Sequence, residues 1–205
     1  MGWYDVLVFA NKLSEKEGLK PAYEISGNTD PAQLGEVPIA ANDDRNAVKE
    51  VPGANGWRLP TEKEWEYVTK GGNNTAKGYT ETNADTYYEY SSSDMVGKVA
   101  RYSENAENLT REVWKKTANE LGLHDISGNM WKWCFDKPIA VNAARVIRGG
   151  SWNDSAANVR SADRLNGSPQ RTELPHWVPV GALLVPSGSA PKGVCPSVSS
   201  ASDRA

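Results

Sequence analysis

A chain of 205 residues with 39% hydrophobic content can bury one sizeable core, and that length demands no second domain. Its 23 basic and 26 acidic residues contain no long single-sign run, so the charge pattern gives no footprint for nucleic acid or for a membrane surface. No apolar run reaches membrane-spanning length, and Cys134 and Cys195 lie far apart in no metal-type spacing, which argues against a disulfide framework and leaves the compartment unread.

The opening Met1-Gly-Trp-Tyr-Asp-Val lacks the basic start and cleavage site of a signal peptide. The chain therefore reads as cytoplasmic as written, or as surface-bound or secreted if a longer N-terminus precedes it. Residues 3–17 follow helical periodicity. Trp3, Val6, Leu7, Ala10 and Leu13 share one face, Gly18 stands where a C-cap belongs, and Asp5 suits the helix dipole. Asn, Asp, Gly and Pro dominate the stretch to Asn55, which predicts loop with short strands. Thr61 with Glu64 three residues on is a capping box, so a helix starts there, buries Trp65 and Val68, and stops at Gly71-Gly72. Glu62, Glu64 and Glu66 read as a solvated helix face plus the cap.

Residues 73–118 carry little periodicity, and Trp114 is expected as a buried anchor among loops. Around Gly149-Gly150, the residues Val146, Ile147 and Trp152 predict strands, the glycine pair letting backbone approach backbone. Val178–Ala205 has four Pro, many Ser and Ala and no aromatic residue, and is expected to lack order. Eight Trp and eight Tyr beside two Phe suit a fold with much irregular backbone, because their N–H and O–H groups satisfy loop carbonyls while the rings pack.

Four blocks, in order, then carry a resemblance. They are Trp3-Tyr-Asp-Val with Ala10-Asn-Lys-Leu-Ser14, Asn55-Gly-Trp-Arg-Leu-Pro-Thr-Glu-Lys-Glu-Trp-Glu-Tyr67, Asn119–Trp133, and Arg145–Arg164. The chain resembles the formylglycine-generating-enzyme (sulfatase-modifying factor) family, and is closest in kind to its retroelement-diversified variable proteins. The resemblance implies an α+β C-type-lectin-like fold of the formylglycine-generating-enzyme type, irregular and loop-rich, over residues 1–177, with a disordered or frame-shifted tail at 178–205. It also implies strands ahead of Trp3, so the domain is expected to be N-terminally incomplete. A Gly-Phe-Arg motif in the last core strand is implied eight residues past Ser168-Pro169, where Trp177 stands. The codons of His176–Gly181 read one nucleotide later permit Gly-Phe-Arg there. The last strand is accordingly expected to be disrupted by a frameshift just before His176.

The chemistry implied by the resemblance fails at its key positions. In the family's oxidases two cysteines of the last block bind copper, a metal that prefers soft sulfur. Here those positions hold Asp154 and Val159. Cys134, in the Trp-x-Trp-Cys block, reads as a small buried residue rather than a nucleophile. The sulfoxide-synthase branch uses iron held by three histidines, which His124 and His176 cannot supply; His124 is expected in a hydrogen-bonding role at the core edge. In relatives the Gly-Asn-x-Trp-Glu block helps hold a structural calcium through oxygen ligands. Gly128-Asn129-Met130-Trp131-Lys132 puts an ammonium in place of that carboxylate. Asn129 is left as a weak calcium-ligand candidate, and a tight turn braced by Asn129 with Trp131 and Trp133 in the core is favoured. No cofactor is expected.

Two functional classes follow. The first is a non-catalytic ligand- or protein-binding module, a retroelement-diversified variable protein. The resemblance then puts the variable slots at Asn153, Asp154, Asn158, Ser161, Asp163, Leu165, Asn166, Gly167, Gln170, Arg171 and Glu173, with Arg160 and Arg164 bracing the loop. Its partner would be an unknown protein or small molecule, with no nucleic acid and no membrane insertion. The second is an oxidase-family paralogue that has lost its copper-binding cysteines, or a gene fragment with aggregation-prone unpaired edges. The missing cysteines argue against catalysis.

Overall fold

A computed structural model of the chain describes residues 2–36, 42–72, 95–138, 144–169, 180–187 and 195–198. Helix α1 spans Trp3–Lys16. The Gly2 amide donates to Asp5 Oδ2 at 2.7 Å, so Asp5 closes the helix start as well as meeting its dipole. Trp3, Val6, Leu7 and Ala10 are buried and Leu13 is half-buried, the face that the periodicity predicts. Gly18, at φ +70°, turns the chain out of the helix. Two buried polar side chains on α1 then tie down the irregular segment that follows. Asn11 donates to the Tyr23 carbonyl at 2.7 Å and accepts from the Tyr23 amide at 3.1 Å, while Ser14 Oγ accepts from the Trp57 amide at 2.8 Å. Buried amides of a loop need such partners where no ladder supplies them.

The polar stretch contains a short antiparallel pair, β1 (Tyr23–Glu24) with β2 (Lys49–Glu50), and the one-turn helix α2 (Asp43–Asn46). β3 (Trp57–Arg58) leads into α3 (Glu62–Thr69). The capping box is present as read. Thr61 Oγ1 accepts from the Glu64 amide at 3.2 Å, and Glu64 Oε2 accepts from the Thr61 amide at 2.8 Å. A short helix, α4 (Val96–Val99), lies where the pattern predicts none.

The main sheet runs β3, β7 (Val180–Pro186), β4 (Trp131–Trp133), β5 (Arg145–Arg148), β6 (Arg164–Gly167), with β8 (Cys195–Val198) also on β7. β4 and β7 pair in parallel, and the other pairs are antiparallel. Side-chain alternation divides the core across the sheet. Trp131, Trp133, Ile147, Ala182 and Leu184 pack with α1, whereas Val146 and Leu183 pack with Trp65 and Val68 of α3 and with Cys134.

Three expectations need correction. Residues 180–187, assigned by sequence to a patternless tail, include the inner strand β7, with Ala182, Leu183, Leu184 and Val185 each 1% exposed. An inner strand covered on both faces is a continuous apolar run, so it shows no alternation to read. Trp114 is 58% exposed rather than buried. Its φ of +65° puts it in the left-handed region, and its amide donates to Asp125 Oδ2 at 2.8 Å. Trp152 lies in a turn rather than a strand, because Gly149 and Gly150 both take positive φ (+89° and +68°) and end β5. Among the described residues no helix is long and apolar enough to cross a membrane.

Candidate binding face

The segment 151–169 leaves β5 through the glycine pair, makes a 3-10 turn at Ala156–Val159, and returns as β6. The glycines are sterically required. A Cβ on Gly149 would sit 2.5 Å from the Ile126 carbonyl oxygen, and one on Gly150 2.7 Å from that of Asn158. The far end is anchored on α1, where the Pro169 carbonyl accepts from the Trp3 amide at 2.9 Å. β6 pairs with β5 along its whole length, Arg145 opposite Gly167 through Arg148 opposite Arg164. The segment is thus a loop and an edge strand held at both ends by the scaffold.

Arg148 supplies a further clamp that sequence reading missed. It is 1% exposed, with its guanidinium 4.9 Å from the Trp65 ring centroid, 2.7 Å from Glu66 Oε1 and 3.3 Å from Glu62 Oε1. It also donates to the Ser161 and Ala162 carbonyls. Arg164 pairs with Glu62 at 2.9 Å, a bracing role as expected. The acidic residues of α3 are therefore not a solvated face: Glu62 and Glu66 hold β5 and β6, and Glu64 pairs with Arg58. The clue available in the sequence was a cation in the strand, Ile147-Arg148, facing a helix with carboxylates at alternate positions.

The candidate slots divide sharply by environment. Asn153, Asn158, Leu165 and Asn166 are exposed, and Asp163 is half-buried. Ser161 is 3% exposed and Gly167 is buried, so neither presents a side chain to a partner. Gln170, Arg171 and Glu173 lie outside the described residues, as does His176.

The two positions that the resemblance matches to the oxidase cysteines are built into the scaffold. Asp154 Oδ2 accepts from Trp131 Nε1 and from the Ser151 amide, both at 2.9 Å, and from the Ser151 hydroxyl. Its own carbonyl accepts from the Ser103 amide at 3.0 Å. Asp154 therefore fastens the loop to the core. Val159 is fully buried with Val99, Ala100 and Tyr102. Cys134 is also fully buried, and desolvation pushes its thiol well above the ordinary range, so it is a poor nucleophile. Among the described residues no three His, Cys, Asp or Glu side chains form a metal-holding group. His124 is half-buried and its Nδ1 lies 2.7 Å from the Lys116 carbonyl, which makes Nδ1 the donor.

At the turn before β4, Asn129 adopts φ +62° and spends both ends of its amide on Arg111. Oδ1 accepts from the Arg111 amide at 2.9 Å, and Nδ2 donates to its carbonyl at 3.0 Å. The Asn129 carbonyl accepts from the Trp152 amide at 3.0 Å. Lys132 is 2% exposed and donates from Nζ to the Gly128 carbonyl at 2.6 Å. Burial pushes the Lys132 ammonium down to about 7, with Asp125 pulling the other way. A calcium ion does not fit this donor set, since a cationic side chain already sits on the carbonyl and the Asn129 oxygen is engaged.

Fold and site together define a C-type-lectin-like domain of the formylglycine-generating-enzyme type. The chain belongs to the family of sulfatase-modifying factor enzyme 1-like domains, which it matches over residues 1–174. It is 35% identical over 176 residues to "Chaperone protein LppX" of Paenibacillus barcinonensis, covering 75% of this chain and 58% of that protein. It is 31% identical over 142 residues to "Inactive C-alpha-formylglycine-generating enzyme 2" of Bos taurus, covering 67% and 44% respectively. Among solved structures, "Treponema denticola variable protein 1" superposes with a TM-score of 0.65 at 34% identity, over 82% of this chain and 64% of that one. The chain thus spans between two fifths and two thirds of the length of these relatives.

Proposed function

We propose that the chain is a non-catalytic binding module, a retroelement-diversified variable protein that displays residues 153–173 to a protein or small-molecule ligand. The observation that carries this reading is the contrast within one segment. Asn153, Asn158, Leu165 and Asn166 are exposed, while the residues between and around them, Ser151, Asp154, Val159, Ser161 and Arg148, are buried or bonded into the scaffold. A rigid base with adaptable polar tips suits a site whose side chains change while its backbone does not. The likeness to a variable protein supports it, as does kinship with a relative named as an inactive enzyme. Replacement of both copper-binding positions speaks against the oxidase reading.

Sequencing of the encoding locus tests it. The expected finding is a near-identical, adenine-rich repeat of the 153–173 coding segment beside a reverse transcriptase, with the differences confined to the exposed slots. A locus without repeat or reverse transcriptase removes the diversification half of the proposal.

A further inference from the structure

We propose that the Lys132 ammonium takes the place of a bound cation beneath the binding face, so that this chain holds its display loops without a divalent metal. The family resemblance implies a calcium ion partly held by a carboxylate at this position, and the residues present disagree with it. Lys132 stands on β4 with its side chain 2% exposed, and its Nζ lies 2.6 Å from the Gly128 carbonyl oxygen. Gly149 packs close by: a Cβ there would lie 2.5 Å from the Ile126 carbonyl oxygen, 3.2 Å from Trp65 Cζ2 and 3.4 Å from Lys132 Cδ. Asp125, 3% exposed, is not in contact with the ammonium; its Oδ2 accepts from the Trp114 amide at 2.8 Å. A buried positive charge seated on a carbonyl oxygen is an arrangement a hard cation would meet, with the charge tethered to the chain instead.

The tether acts on the loops above it. Gly128, at φ +74°, donates its amide to the Gly149 carbonyl at 2.7 Å, and a Cβ on it would lie 2.2 Å from the Arg101 carbonyl oxygen. Asn129, next in the chain, holds Arg111 and Trp152. The ammonium thus fixes the turn that joins segment 101–111, the end of β5 and the start of the display loop. Lys132 is a positioning residue.

The experiment compares melting temperatures of the full chain, at a pH below about 7 where the Lys132 ammonium keeps its charge, in excess EDTA and in excess calcium chloride, for wild type, Lys132→Glu and Lys132→Gln. Wild type is expected to melt at the same temperature in both buffers. Lys132→Glu, which sets a carboxylate by the Gly128 carbonyl, is expected to melt lower in EDTA and to recover by several degrees in calcium. Lys132→Gln, with a neutral oxygen, should show a smaller recovery. Recovery of a folded state by Lys132→Glu only in calcium is the same result in stronger form. A wild type stabilised by calcium, or glutamate and glutamine variants indifferent to it whether folded or not, overturns the proposal. Neither outcome bears on whether the exposed slots bind a ligand, so this inference fails or stands apart from that reading.

Discussion

Glu64 serves two elements at once, capping α3 through the Thr61 amide and pairing with Arg58. Burial works to raise its pKa, but the Arg58 guanidinium and the Thr61 amide and hydroxyl together outweigh it and hold the carboxyl below the usual range. A carboxylate whose folded pKa is depressed contributes stability that is complete above its unfolded pKa and is lost as pH falls through the folded value. Glu64→Gln should therefore lower the melting temperature at neutral pH, with the gap to wild type closing in acid; a gap independent of pH would contradict this sign. Arg148 is the harsher case. Glu62→Gln with Glu66→Gln leaves its charge buried beside Trp65 without an anion, and breaking such a pair from one side costs on the order of 3 kcal/mol. Denaturant melts of the double variant measure it. Replacing Arg148 with Met should cost less, because no unpaired charge is left behind.

α3 and β7 show what a sequence declares about an element and what it conceals. The start of α3 was legible because capping is local: Thr61 and Glu64 are three residues apart, and each satisfies the other's amide. Thr61→Ala should cost about 1 kcal/mol, as a lost N-cap does. β7 was not legible. Its Gly-Ala-Leu-Leu-Val run has no period of two, since Leu183 packs beneath α3 while Leu184 packs with α1. Leu184→Ala should cost about 2–5 kcal/mol by loss of buried surface and a cavity, a value that chemical denaturation can check. A near-neutral result would mean that β7 is not an inner strand. Trp114 stands outside the core for a related reason: its left-handed backbone, held by Asp125, is a tertiary arrangement that an apolar side chain does not announce.

The molecule as a whole separates a scaffold from a surface within a single continuous segment. Substitutions at Asn153, Asn158, Leu165 and Asn166, including to aromatic residues, should stay within about 0.5 kcal/mol of wild type, as exposed positions do. The same replacements at Ser161 or Gly167 should destabilise the fold, because those positions are buried. Thermal melts of both sets decide between a display face and an ordinary loop. Equal losses across all six positions would leave no special surface to propose.

The sequence by itself determined the family and the local signals: four ordered blocks, the α1 face, the capping box, and the substitution of Asp154 and Val159 for two cysteines. These are encoded by residue type and short spacing, which the chain carries regardless of its partners. Only the tertiary structure decided that Glu62 and Glu66 clamp Arg148, that Asp154 fastens a loop to Trp131, that Lys132 lies buried on the Gly128 carbonyl, and that residues 180–186 run through the sheet. Each of those depends on groups brought together from distant parts of the chain, and burial and electrostatic environment belong to such assemblies rather than to any residue alone.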